Sequence, residues 1–243
     1  MASTEMTTSG ILNLRDGDWS SRASKACDFI ASACGLSLSG SETSGSSVRR
    51  YYMYGNIGLR LSYSSSSTSN TGSISVASGY MSSGEWTNML SDSGGISCTG
   101  AGDKSNSNAE SCYLYSKKIE IGSLTATRFA FEGSASSFYF APFTVTDYFS
   151  GESRTGFTSG GGFFTYDKSG QKGETMTVTP IAGGSYGSQR VLTVAEPVIL
   201  RSTSFYGMTD NLYYIAGVTA LLGDQIQLNG NTFTCITDNV FAG

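Results

Sequence analysis

Asn229-Gly230 stands between two alternating runs, Gln225-Ile226-Gln227-Leu228 and Asn231-Thr232-Phe233-Thr234-Cys235. A two-residue type I′ hairpin loop needs positive φ at both central positions, and Asn-Gly is a pair that supplies it. With those two residues as the loop, Leu228 faces Asn231, Gln227 faces Thr232 and Ile226 faces Phe233. Side chains alternate across a strand, so Ile226, Leu228, Phe233 and Cys235 share an apolar face, and Gln225, Gln227, Thr232 and Thr234 a polar one. Turn chemistry and pattern select one register, because a slip by one residue would exchange the faces. The chain therefore closes on a half-buried β-hairpin.

The same reading extends upstream. Val48 to Tyr54, a Gly55-Asn56 pair, and Ile57 to Tyr63 form a second candidate hairpin, with Leu59, Leu61 and Tyr63 on one face. Strands are expected through Ile74 and Val76, over Trp86–Leu90, Cys112–Ile121, Ala126–Glu132, Ser137–Phe140 and Phe143–Tyr148. More follow at Gly162–Tyr166, Thr175–Thr179, Val191–Leu200 and Leu212–Val218. Gly122, Gly133 and Pro142 punctuate them. Short strands with turn signals every 8 to 12 residues or so mark sandwiches and barrels rather than βαβ units. Only one stretch has helical spacing: Trp19, Ala23, Ala26, Cys27, Ile30 and Cys34, with Arg22, Lys25 and Asp28 on the other side. Asp18 suits its N-cap and Gly35 its C′ position. The expected fold is mainly β, with antiparallel sandwich or barrel-like sheets and one N-terminal amphipathic helix. Residues 1–47 read as that helix plus a Ser/Gly linker (Leu36 to Ser47), and 48–243 as the β-rich region. A candidate break into two modules lies in the polar stretch near 91–111.

Composition decides what such a fold can be used for. Charged residues are 14 % of the 243, against about 25 % in ordinary globular domains. A net charge of −4 offers no footprint for nucleic acid, where Lys and Arg must neutralise phosphates. Arg49-Arg50 beside tyrosines reads as a solvated strand edge. No apolar run approaches the length of a membrane span. The N-terminus has neither a basic region nor an apolar core, so export is not expected. The five cysteines, Cys27, Cys34, Cys98, Cys112 and Cys235, lack paired short spacings, and read as buried free thiols of a chain made in a reducing cytoplasm.

With no histidine in the chain, Ser-His-Asp and Cys-His catalysis are excluded, as is a Cys/His zinc site. Gly160-Gly161-Gly162 runs into Phe163-Phe164 and not into Lys-Ser/Thr, so it is no phosphate loop. Asp16-Gly17-Asp18 lacks calcium-loop spacing. A glycosidase needs two suitably spaced carboxylates, and Glu85, Asp92, Glu110, Asp147, Glu152 and Glu196 are too scattered for sequence to pair. The expectation is a non-enzyme with no cofactor and no metal. Trp86 and Tyr80 could form a sugar platform, although tryptophan in an all-β chain is usually core.

Several stretches of the chain resemble a group of tailed-bacteriophage virion structural proteins. They are Pro197-Val198-Ile199-Leu200, then Phe205-Tyr206-Gly207-Met208-Thr209-Asp210-Asn211-Leu212-Tyr213-Tyr214-Ile215-Ala216-Gly217, then the Asn-Gly hairpin and Asp238-Asn239-Val240-Phe241. Upstream, Arg49-Arg50-Tyr51-Tyr52 and Thr127-Arg128-Phe129-Ala130-Phe131 with Tyr139-Phe140-Ala141-Pro142-Phe143 resemble strands of the same group. The resemblance implies a non-enzymatic component of the tail, baseplate or neck, made in the bacterial cytoplasm and carried in the virion. Its partners would be copies of itself and other virion proteins. Tyr51, Tyr52, Tyr54 and Phe241 are the expected assembly contacts, all at the surface, together with the 91–111 loop. The alternative is a carbohydrate-binding adhesin of a phage tail that takes a host surface glycan through Trp86.

Overall fold

A computed structural model describes residues 5–14, 18–65, 72–89, 96–98, 113–131, 137–147, 150–159, 162–165, 175–178, 195–201, 205–215, 218–237 and 240–243. Among them, antiparallel strands dominate and one helix stands near the N-terminus. They fall into two compact units.

The first unit comprises Thr8–Lys118 and Thr127–Phe140. It opens with β1 (Glu5–Asn13) and helix α1 (Trp19–Ala33), followed by β2 (Ser37–Ser44), β3 (Ser47–Tyr54), β4 (Ile57–Ser64), β5 (Gly72–Ser82), β6 (Glu85–Asn88) and β7 (Ile96–Cys98). Strands β2-β3-β4-β5-β6 make a meander, and β7 pairs the other end of β5. Leu36 to Ser47 is thus largely strand and not a linker. Ser and Gly dominate it because β2 is exposed along nearly its whole length and has no apolar face to declare. Residues 1–47 form no unit of their own, since α1 and β2 belong with β3–β6. The turn between β3 and β4 pairs Tyr54 with Ile57. Only Gly55 of its two loop residues has positive φ, +59°, which suits a Gly-first hairpin turn. Ile57, Leu59, Leu61 and Tyr63 are all buried, as the alternation predicts.

α1 begins and ends as its sequence dictates. The Asp18 carboxylate accepts the Ser21 N–H at 2.7 Å. Gly35 has φ +69°, and Leu36 N donates to Ala31 O while Gly35 N donates to Ser32 O, a Schellman motif. Arg22, expected on the solvent side, is only 1 % exposed. The helix is covered on two sides. Trp19 Nε1 donates to Ser64 O of β4 at 3.0 Å. At the helix C-terminus Thr127 Oγ1 donates to Ala33 O at 2.9 Å. Phe29, two turns after Arg22 and so on the same side, lies where a Cβ on Gly10 of β1 would touch it.

The rest of the chain adds β8 (Tyr113–Ile121), β9 (Leu124–Phe131), β10 (Ser137–Asp147), β11 (Ser153–Ser159), β12 (Gly162–Thr165) and β13 (Thr175–Val178). It ends with β14 (Ala195–Arg201), β15 (Phe205–Ile215), β16 (Gln225–Leu228), β17 (Asn231–Thr237) and β18 (Val240–Ala242). The order β1-β8-β9-β10 lies partly in the first unit. Ser137–Phe140 and Phe143–Tyr148, expected as two strands parted by Pro142, are replaced by the single strand Ser137–Asp147. Pro142 falls between the residues that pair β9 and those that pair β15, where a missing N–H breaks neither ladder.

In the second unit (Ile119–Ala126 and Ala141–Gly243, with the start of β1), β10 to β15 pair in sequence, and β10 pairs β15 again. That extra pairing closes six strands into a barrel-like ring. β15 continues past the ring and pairs β18, which pairs β17, which pairs β16. The terminal hairpin has the register its sequence sets, Leu228↔Asn231 through Gln225↔Thr234. Asn229 and Gly230 have φ +51° and +81°. On its polar face Gln227 Nε2 donates to Thr232 Oγ1 at 2.7 Å. Thr234, expected on that polar face, is buried. The second half of β17 lies between two apolar clusters. One gathers Ile215, Phe233, Cys235 and Phe241, and the other Leu212, Leu222, Ile236, Val240 and Ala242.

The loop gives the first prediction. Gly230→Ala places a Cβ in the left-handed region and is expected to lower stability by about 1–2 kcal/mol. A lower urea midpoint at unchanged slope would show it. An unchanged midpoint would mean that the hairpin does not need this turn.

Candidate functional site

The expected assembly residues do not stay together. Pleating sends Arg49, Tyr51 and Met53 of β3 to one face of the meander, and Val48, Arg50, Tyr52 and Tyr54 to the other. Tyr52, expected at the surface, is 2 % exposed, and its hydroxyl donates to Asp28 of α1 at 2.8 Å. Burial, then that hydrogen bond, raises its pKa. Arg50 is not solvated either. Its guanidinium meets Asp28 at 2.9 Å, donates to Ser24 Oγ at 2.7 Å and lies over the Tyr52 ring at 5.3 Å. The Arg-Tyr pair thus docks the helix onto the sheet. β3 is also an inner strand, between β2 and β4, and not an edge. Phe241 is fully buried, in a strand paired on both sides. Tyr54 keeps the expected exposure, at 52 %. Of the 91–111 loop, all but Ile96–Cys98 lies outside the described residues.

The outer face of the meander collects what remains. Tyr51 and Trp86 approach to 5.5 Å between ring centroids, tilted by 52°. They come from β3 and β6 and meet above β4 and β5, where Gly58 pairs Gly79. A Cβ on Gly79 would sit 2.8 Å from the Trp86 ring and 2.1 Å from Thr87 O, and one on Gly58 would sit 2.0 Å from Tyr52 O. Only glycine allows so close a floor at those two positions. Tyr80, the other expected platform residue, faces the opposite side and is buried.

Polar groups frame the rings. Glu42 Oε1 accepts from Tyr51 Oη at 2.7 Å and from Arg49 Nη1 at 3.0 Å. The hydrogen bond from Tyr51, then that from Arg49, holds the Glu42 carboxyl below its ordinary pKa. Trp86 Nε1 donates to Asn88 Oδ1. Arg60 sits opposite Tyr51 on the neighbouring strand. Sequence reasoning named Trp86 and Tyr51 separately but missed Glu42, Arg60 and Asn88. The meander's register brings them together, and β2 was not visible as a strand.

The remaining candidates disperse. Glu85 and Glu152 are exposed, Asp92 and Glu110 lie outside the described residues, and the side chains of Asp147 and Glu196 do as well. Among the described residues no three His, Cys, Asp or Glu side chains gather as a metal site requires. No helix among them is long and apolar enough to cross a membrane.

Cys27, Cys34 and Cys235 are buried thiols that form no disulfide. Burial raises the Cys34 thiol to about 12 from 9.0, against smaller opposing effects of Thr127 and Lys118. The unfolded chain loses that proton first, so Cys34 destabilises the fold as pH rises from about 9 towards 12. We expect the denaturation midpoint to fall across that window in wild type, and less steeply in Cys34→Ala. Equal slopes would show that Cys34 titrates normally. At neutral pH, mass mapping of native-state alkylation should find these three thiols unmodified.

No protein-family model matches the chain, and neither a curated protein nor a solved structure matches it. The class it defines is structural: antiparallel and mainly β, with a helix near the N-terminus.

Proposed function

We propose that the chain is a non-enzymatic structural component of a tailed-bacteriophage virion, joining copies of itself and other virion proteins in the tail, baseplate or neck. The observation that carries the assembly role is the open edge at β2. Among the described residues β2 pairs only β3, and seven of its eight residues are exposed. Monomeric proteins guard such an edge with lysine, proline, β-bulges or inward charge. β2 has no lysine or proline, and its one charge, Glu42, is paired with Arg49. A register shift between Leu38 and Gly40 leaves Gly40–Ser44 in unbroken pairing with β3. Leu38 at 51 % exposure and Tyr54 at 52 % lie diagonally on one face of the β2–β3 pair and add an exposed apolar rim beside the edge. Strand addition at such an edge gains backbone hydrogen bonds for any extended partner. The phage assignment rests on the resemblance of the strand sequences described above.

The test is native mass by light scattering on a sizing column, with negative-stain images of the same peak. A ring or another defined oligomer is expected, dispersed to monomer by Leu38→Lys with Thr43→Lys. A wild-type monomer, or an oligomer indifferent to both lysines, would overturn the role of this edge.

A further inference from the structure

From the outer face of the meander we infer a carbohydrate-binding site, centred on Tyr51 and Trp86 and suited to a neutral pyranose ring. This does not rest on the assembly reading. A pyranose offers a face of apolar C–H groups and a rim of hydroxyls, which asks for an aromatic surface beside paired donors and acceptors. The Tyr51–Trp86 pair is a partly exposed aromatic surface on a sheet face, with the Trp86 ring held over a floor that Gly79 keeps bare. Both internal hydrogen bonds to Glu42 use Oε1. Oε2 is left as a charged acceptor on a side chain 49 % exposed. Asn88 uses its Oδ1 on Trp86, and its amide N–H groups are available as donors. Acceptor and donor thus flank the rings from β2 and from β6.

Charge selects among ligands. The Glu42 carboxylate opposes an anionic ligand at the acceptor end of the patch. Arg49 is already paired with it, and Arg60, opposite Tyr51 on β4, is a second cation whose charge also bears on Glu42. Nucleic acid is disfavoured by the net charge of −4, which offers no excess of cations to neutralise phosphates. A neutral sugar has no such conflict, and hydrogen bonds from its hydroxyls to an ionised carboxylate are of the stronger kind.

The experiment applies the full-length protein to an array of immobilised oligosaccharides covering neutral hexoses, N-acetylhexosamines and acidic sugars. The strongest binder is then titrated into the wild-type and variant proteins by isothermal titration calorimetry. In proteins that keep Trp86, tryptophan emission is a second readout, because Trp19 is buried in the helix and a saturable change reports Trp86. Expected are binding to neutral saccharides and a loss of about tenfold or more in affinity in Trp86→Ala. Glu42→Gln removes only charge from an exposed side chain, and should also weaken binding by about tenfold while leaving the melting temperature in place. The proposal is overturned by an array without reproducible binding, by binding confined to acidic sugars, or by affinity that survives both substitutions.

Discussion

Phe241→Ala is expected to destabilise the second unit by about 3–5 kcal/mol, the range for removing a fully buried aromatic side chain. Phe241 pairs Tyr213 of β15 on one side and Cys235 of β17 on the other. It packs with Ile215, Phe233 and Cys235. Phe233 meets Tyr213 edge-on at 5.1 Å, so the walls of the site are aromatic and mutually held. Because β18 is hydrogen-bonded along both edges, the backbone is poorly placed to collapse into the space a lost ring leaves. A cavity that stays open belongs to the costly end of the range. The check is a thermal or urea melt followed by far-UV circular dichroism. Gln227→Ala on the exposed face of the hairpin is the control, expected to change stability by less than about 1 kcal/mol. If Phe241→Ala melted like wild type and instead reduced the native mass, the residue would be an assembly contact after all.

That outcome bears on how much the sequence discloses. The terminal hairpin was legible because two independent signals coincide: a loop pair that tolerates positive φ, and an alternation that permits one register. α1 was legible for the same reason, with Asp18 and Gly35 bounding a periodic run. β2 was invisible. Ser37-Leu38-Ser39-Gly40-Ser41-Glu42-Thr43-Ser44 has neither β-branched enrichment nor an apolar face, and only its pairing with β3 makes it a strand.

Burial was hardest to read wherever a surface is covered twice. Arg22 and Thr234 are polar and buried because each lies beneath a second layer that local periodicity does not report. Tyr52 and Phe241 were expected outside because the resemblance implied assembly contacts there. Tyrosine serves both purposes, since its ring can pack while its hydroxyl finds a partner such as Asp28. The candidate binding face was half legible. Trp86 drew attention by its chemistry, but Glu42 and Asn88 join it only through a register spanning β2 to β6.

Ile30→Ala is expected to lower the stability of the first unit by about 2–5 kcal/mol. Ile30 is fully buried in α1, as are Ala23, Ala26, Cys27, Ala31 and the larger Arg22. The apolar neighbours among these are small, and the isoleucine is the large apolar side chain among them. Its loss leaves a gap that alanines cannot fill. The polar anchors do not compensate, because Asp28 and Ser24 hold Arg50 and Tyr52 at fixed distances and resist the sliding that would close the gap. The denaturant midpoint should fall with little change in slope, and the melting temperature by something on the order of 10 °C. Tryptophan emission is the direct readout, since both tryptophans lie in the first unit and Trp19 is buried there. Lys25→Ala, on the exposed part of the same helix, should stay within about 0.5 kcal/mol of wild type. Equal behaviour of the two variants would mean that α1 lies on the surface of its unit. The docking of Arg50 and Tyr52 onto Asp28 would then be a surface contact, and β3 would regain the free face that the tyrosine run suggested.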